Sequence, residues 1–407
     1  MKSIFTVPRP KYRQARNEFR NKASKAGATL RSYPITYARG QFGEKLFVDV
    51  AVWGRNDATK VLVVDAGMHG VEAYGALIGL LAYMRVIRRF GIPQDMRIIF
   101  IFPLNPHGTS WLRRVNGHFV DLSRNFLNFA LQKGRRFCHL HYDELNDLIN
   151  PKEIRGLSWL TQRLGMGAFI IKQNMREALR RMKQGDLRGI FSREILMFWS
   201  EYSYGWRCLK RAISMGQYKY PKGMQYGGSC EEPENIVLRT IIRTLIPKTV
   251  KFLAWVNGHI GLGEWGKPLI ITEFGRADPM FEQCVSWYGK VARIESSHDI
   301  YAFSTASPDM GAIEHAVTEE VLEIAPNCEI TAFCLEVGTY PLWNLGWATH
   351  ADGWLHQYGN PFSKVGKKIK KEMAEYFYPD DPTWRRKCRK AYLRIIGCSV
   401  HGLSEAT

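Results

Sequence analysis

Unbroken apolar runs, each closed by a glycine-rich turn, recur along this chain. Val61–Val64 is a β-branched and leucine run, and Met96–Leu104 (MRIIFIFPL), Lys251–Asn257 and Ile330–Leu335 (ITAFCL) repeat the type. Runs of this kind predict strands buried on both faces, as in parallel-type sheets. Leu30–Tyr37 and Lys45–Trp53 flank ARGQFGE and predict a hairpin ahead of them. Ala73–Met84 is apolar enough to be a core helix. Tyr12, Ala15, Phe19 and Ala23 stand at near-helical spacing and predict an amphipathic helix over 12–26, ended by Gly27. Further helices are expected at Glu232–Leu245, Lys364–Phe377 and Trp384–Ile396. The alternation predicts an α/β fold: a mostly parallel or mixed twisted central sheet flanked by helices.

Between about 130 and 215 no strand run appears, and long basic helical segments (Trp159–Lys183, Ser192–Ser214) predict a helical insertion or lid. It closes on Gly216–Ser229, GQYKYPKGMQYGGS, a loop type that can line a pocket. With 407 residues and 45% hydrophobic content the chain can bury a large core. It reads as one domain over 1–407, with this insertion and a basic helical C-terminal segment at about 360–398. The N-terminal stretch carries prolines and charges where a signal peptide needs an apolar run, and no later stretch is expected to span a membrane. Eight scattered cysteines form no C-x-x-C pair and read as reduced thiols. The expectation is a soluble, cytoplasmic protein.

A net charge of +19 would attract nucleic acid, acidic membranes or anionic substrates. The basic residues concentrate in Arg9–Lys25, Arg176–Arg193, Lys364–Lys371 and Arg385–Arg394, with no RNP-type aromatic motif, zinc finger or recognition helix beside them. Solvated helix faces account for such patches, and a nucleic-acid partner is disfavoured.

The chemistry gathers at strand ends. Gly67 and Gly70 bend the chain after the Val61 run, so that His69 and Glu72 can point the same way from the edge where open α/β sheets bind ligands. His259 follows a second buried run in the same manner, and Glu336 follows a third. Two histidines and a glutamate form a catalytic zinc-ligand set that leaves the fourth position to water. Glu336 is then available as a base. The polar segment 109–126 holds Arg113, Arg114 and Arg124, of which one can stabilise an oxyanion and another can hold an anionic end of a substrate.

The motifs G-x-H-G-x-E (Gly67–Glu72), N-P-x-G (Asn105–Gly108), RRVN and VDLSRNF (Arg113–Phe126), Q-Y-x-x-P-x-G-x-x-Y-G-G (Gln217–Gly228), H-x-G-L-G (His259–Gly263) and E-V-G-T-Y (Glu336–Tyr340) occur in this order. Together they resemble the DUF2817 branch of the M14 zinc-carboxypeptidase superfamily, which is related to the aspartoacylase and succinylglutamate desuccinylase deacylases. The resemblance implies a zinc-carboxypeptidase-like fold and one zinc ion per chain, held by His69, Glu72 and His259. It implies Glu336 as general base, Arg114 (or Arg113) as carbonyl and oxyanion stabiliser, and Arg124 as carboxylate binder. Asn125 and Tyr226, in the same motifs, join Arg113 as expected substrate contacts. Tyr301 and Tyr340 are the candidates for a catalytic phenol. Three positions depart from the family pattern: Ser123 for asparagine, Asn257 for aspartate and Gly117 for glutamate. Loss of a charged neighbour of a metal ligand can weaken metal binding by about 10–100-fold. The implied activity is a carboxypeptidase-like hydrolysis of an amide or peptide bond beside an anionic group. A small-molecule N-acyl amino acid deacylase and a weakened binding protein are the alternatives.

Overall fold

The computed structural model describes residues 11–130, 142–150, 215–297 and 312–407. Most of the expected insertion, and Tyr301, lie outside them. The buried runs pair as anticipated. Strands β1 (Thr29–Ile35), β2 (Leu46–Trp53), β3 (Lys60–Ala66), β4 (Met96–Phe102), β5 (Phe252–Trp265), β6 (Pro268–Thr272), β7 (Arg293–Ser296) and β8 (Glu329–Gly338) form one mixed sheet in the order β1-β2-β4-β3-β5-β8-β6-β7. The four central strands β4, β3, β5 and β8 run parallel, and β2 and β6 flank them antiparallel.

Helices cover both faces, because each central strand is apolar on both. On one side lie α1 (Tyr12–Lys25) and α2 (Ala73–Phe90), with the C-terminal α10 (Pro382–Glu405) packed along α2. Gly79 of α2 lies against the ring of Tyr392, so close that a Cβ there would overlap it. On the other side, α5 (Pro233–Leu245) contributes Leu238, Ile241 and Ile242, and α7 (Ile313–Ile324) contributes Ile313, Val317 and Val321. The buried carboxylate of Glu320 on α7 ties these two helices together by accepting from Arg239 and Arg243. The remaining helices are α3 (Pro106–Trp111), α4 (Tyr142–Ile149), α6 (Pro279–Tyr288), α8 (Leu342–Tyr358) and α9 (Lys364–Phe377).

Several elements differ from expectation. β6, β7, α6, α7 and α8 have weak or mixed patterns and were not anticipated. α10 runs on to Glu405, because its buried face (Trp384, Cys388, Tyr392, Ile396, Leu403) continues past Ile396. The helical segment Gly70–Phe90 is long and apolar enough to cross a membrane by length and composition, contrary to the expectation of no such stretch. An 18-residue apolar window of it is 89% buried inside the fold, where it packs as a core helix. The six cysteines among the described residues are free thiols.

Candidate active site

β3 ends at Ala66, and Gly67 takes a left-handed φ of 82°, which turns the chain over the C-terminal edge of the sheet. A short 3-10 turn, Gly70–Glu72, then leads into α2. The loop after α3 clamps this turn: Val71 N–H donates to the Arg113 carbonyl at 2.9 Å, and Gly70 N–H to the Arg114 carbonyl at 3.3 Å. Gly70 lies directly on the Gly108–Thr109 backbone, where no side chain fits.

His69 and Glu72, brought together by this turn, meet His259 from β5. Glu72 Oε1 lies 2.9 Å from His69 Nδ1, Glu72 Oε2 lies 3.0 Å from His259 Nδ1, and the two Nδ1 atoms are 3.0 Å apart. All three side chains are buried. Ile260 N–H donates to Glu72 Oε2 at 3.0 Å and orients that carboxylate. Burial opposes ionisation of Glu72, but the two imidazoles hold its carboxyl well below the usual range.

Asp121 completes the arrangement. Its Oδ1 is 3.1 Å from His69 Nε2, and its Oδ2 accepts from Arg114 Nε at 2.9 Å. Against the cost of burial, Arg114 and His69 keep this carboxyl well below its ordinary value. An ionised Asp121 accepts the Nε2 proton of His69, which leaves the Nδ1 lone pair facing the Glu72 carboxylate. A shared proton or a metal cation between them would remove the repulsion of two acceptors 2.9 Å apart. The donor set fits zinc: two imidazole nitrogens and a carboxylate converge within 4.8 Å of one another, and a carboxylate buttresses one imidazole from behind.

His259 and Glu336 are direct partners in the β5–β8 register. The sequence suggests that both follow strand ends; in the structure both lie inside strands, since β5 continues to Trp265 and β8 to Gly338. Glu336 Oε2 accepts from Leu262 N–H at 3.0 Å. Burial, and next the like charge of Glu72, push its carboxyl up to about 7.

A cavity of about 140 Å³ opens beside these groups, lined in part by Arg114, Ser123, Arg124 and Glu336. Arg114 reaches toward Glu72, with its terminal nitrogen 3.5 Å from Oε1. Ser123 Oγ is 3.2 Å from His69 Nε2 and donates to Asp121 at 2.7 Å. The Gly/Tyr loop reaches the cavity through Met224 and Gln225.

Three expected substrate contacts lie elsewhere. Arg113 is buried and points away, donating from Nε to Asp352 at 3.0 Å with its guanidinium over the Phe119 ring. Asn125 is fully buried: it donates to the Gly227 and Cys230 carbonyls and accepts from Glu232 N–H, joining the arginine loop to the Gly/Tyr loop. Tyr226 packs its ring in the core on the α5–α7 side, and its carbonyl accepts from Asp121 N–H at 2.8 Å. Tyr340 donates its phenol to Glu375 at 2.9 Å. Sequence reasoning passed over Asp121, although it stands inside the VDLSRNF motif, and over Glu273 and Glu314, which no motif marks.

The mixed sheet and the His–Glu–His cage define an α/β protein of carboxypeptidase-like fold. The chain belongs to the DUF2817 family, described as a protein of unknown function, whose profile matches residues 9–192 and 190–391. Among solved structures it is similar to carboxypeptidase A from Helicoverpa armigera, with a TM-score of 0.52 and 12% identity over 100% of this chain and 75% of that one. It is also similar to thrombin activatable fibrinolysis inhibitor, with a TM-score of 0.48 and 10% identity over 97% of this chain and 75% of that one. A Shewanella frigidimarina protein described as a succinylglutamate desuccinylase/aspartoacylase matches with a TM-score of 0.33 and 12% identity, over 82% and 72% of the two chains. No curated protein matches the sequence.

Proposed function

We propose that this protein is a zinc-dependent hydrolase that cleaves an amide or peptide bond next to a free carboxylate. The observation that carries the reading is the convergence of His69, Glu72 and His259 with a buried carboxyl, Glu336, in register beside His259. When bound, zinc in this cage supplies Lewis acidity to a water and to the substrate carbonyl. The protein's own groups do the rest. Glu336, poised near neutrality, takes the proton of the attacking water and returns it to the leaving nitrogen. Arg114, held by Asp121, presents a fixed positive charge where negative charge develops on the carbonyl oxygen. Arg124, at the cavity wall, binds the substrate carboxylate.

The modest cavity favours a small substrate, and so a deacylase of N-acyl amino acids is the second reading. Both reactions release an amino acid with a free carboxylate, and the size tolerated on the acyl side separates them.

The test is the metal. His69→Ala and His259→Ala each remove one of three ligands, so elemental analysis should find about one zinc per wild-type chain and little in either variant, with amidase activity lost in parallel. Full zinc occupancy in both variants would refute the cage.

A further inference from the structure

A groove of about 550 Å³ lies between the β5–β6 turn, the loop after α6, the start of β7 and one face of α10, and it shares no lining residue with the cavity beside the cage. Its charge is one-sided. Lys267, Lys290, Arg293, Lys387, Lys390 and Arg394 line it against a single acid, Glu264. Glu264 is taken up by Lys267 at 2.5 Å, and Arg293 is paired with Glu295 at 2.5 Å. Among the described residues, Lys290, Lys387, Lys390 and Arg394 make no ion pair.

From the sequence, Arg385–Arg394 reads as a solvated helix face. The fold places part of it along a concave wall. Lys387, Lys390 and Arg394 stand at i, i+3 and i+7, on one side of α10. The β5–β6 turn packs on that side: Gly266 holds a left-handed φ of 68°, and a Cβ there would fall 2.6 Å from Lys387 Cβ. α10 holds no acid before Glu405, so the three cations have no counterion within their own helix. Like charges three and four residues apart destabilise a helix, and here they are kept along the wall of a groove. The floor is apolar, with Pro268, Leu269, Val291 and Ala292 half-buried. Apolar lining with a few convergent charges, in this size range, is the makeup of a small-molecule site.

We infer that this groove binds an organic diphosphate ester, its phosphoryl groups held by Lys290, Lys387, Lys390 and Arg394 and its organic part on the apolar floor. Ammonium groups attract phosphate as point charges, and a guanidinium grips it as a fork. One phosphoryl group carries about −1.5 to −2, which leaves four free cations under-matched. A second phosphoryl group comes closer to neutralising them. An inorganic anion would meet the charges and leave the apolar floor uncovered. The inference is independent of the hydrolase reading, because the groove has no residue in common with the cage.

Calorimetric titration of the full chain with adenosine diphosphate, geranyl diphosphate and inorganic phosphate tests the groove. At least one of the two esters should bind tenfold or more tightly than inorganic phosphate, and the preference between them tells a nucleoside from a hydrocarbon on the floor. Lys390→Glu and Arg394→Glu should each lower that affinity by tenfold or more. Arg389→Glu, an equal change of charge on the same helix outside the groove, and Arg124→Ala, in the other cavity, should each change it by less than twofold. Thermal midpoints verify folding, and the milder Lys390→Gln, expected to lose at least threefold, replaces a charge reversal that fails to fold. No binding of either ester at millimolar concentration, an equal loss in Arg389→Glu, or a loss in Arg124→Ala would overturn the proposal. So would adsorption of the chain to vesicles of phosphatidylcholine and phosphatidylserine, abolished by Lys390→Glu, without affinity for either soluble ester: the face would then be a membrane contact.

Discussion

Glu336 lies directly opposite His259 across the parallel β5–β8 pair, so the proposed base and a proposed metal ligand sit on neighbouring strands with their spacing set by the hydrogen-bond ladder. Strand partners stand about 4.8 Å apart, and hinge motion cannot separate them without breaking the sheet. Glu336→Gln keeps the shape of the side chain and leaves an oxygen to accept from Leu262 N–H, but it cannot accept a proton. Zinc content should stay at the wild-type level while kcat falls by roughly 10²–10⁴-fold. A zinc-replete, stable variant with unchanged kcat would remove Glu336 from the chemistry.

The same residue sets a pH dependence. Its carboxyl stands at about 7 in the metal-free fold against an ordinary 4.5, and a dication in the cage lowers it. The acid limb of kcat/KM should therefore fall between 4.5 and 7, with activity rising as pH increases. In the metal-free chain the sign for stability is opposite: the folded state holds this proton more tightly than the unfolded state does. Unfolding free energy should decline as pH rises from about 4.5 to 7. Denaturant titrations at several pH values should show this decline flattened in Glu336→Gln.

Asp121 bears on the metal and on Arg114 at once. In Asp121→Asn the charge behind His69 is lost, and an amide N–H2 either faces Arg114 Nε or displaces the oxygen at His69. Zinc affinity should weaken by about 10–100-fold, as competition with a chelator of known affinity would measure. Saturating zinc should restore the metal but not full kcat, because Arg114 is no longer held at 2.9 Å by a carboxylate.

Arg124→Ala should raise KM for substrates with a free carboxylate by roughly 10–100-fold, the value of a charge-assisted hydrogen bond. Amidated counterparts should change little. Equal losses on both substrate types would assign Arg124 a structural role, for which its hydrogen bond to the Ser123 carbonyl offers a basis.

The close backbone approach at the cage turn is also open to test. Gly70→Ala drives a methyl group into Gly108 and Thr109, and should cost about 2 kcal/mol or more, visible as a lower thermal midpoint together with reduced zinc retention. An unchanged midpoint would mean that the α3 loop can yield.

Much of the cage was legible because short-range chemistry dictates it. A buried run, a left-handed glycine and a histidine three residues before a glutamate already define a bend at a sheet edge. Asp121 also lay within reach, since an aspartate beside an arginine loop is a natural buttress for a histidine. Arg113 and Arg114 show the limit: adjacent in the chain, they diverge in space, one to Asp352 and the other to Asp121. No local pattern says which of two neighbouring arginines enters a cavity, because that depends on which carboxylates the later helices deliver.

By itself the sequence determined the elements and the ligand types. Burial on both faces demands continuous apolar strands, and turns at their ends demand glycine, so the strands from β1 to β5 and β8, the helices α1, α2, α5, α9 and α10, and the His69–Glu72 pair could be read from residue order. Tertiary structure alone decided what surrounds the cage. β6 returns antiparallel beside β8, and α7 crosses the face on which Asn257 and Cys334 point, so that Glu273 and Glu314 meet a side chain remote from both in the chain. Those acids carry no spacing rule; they become a pocket wall only through strand register and helix packing, which are set by the fit of the whole core.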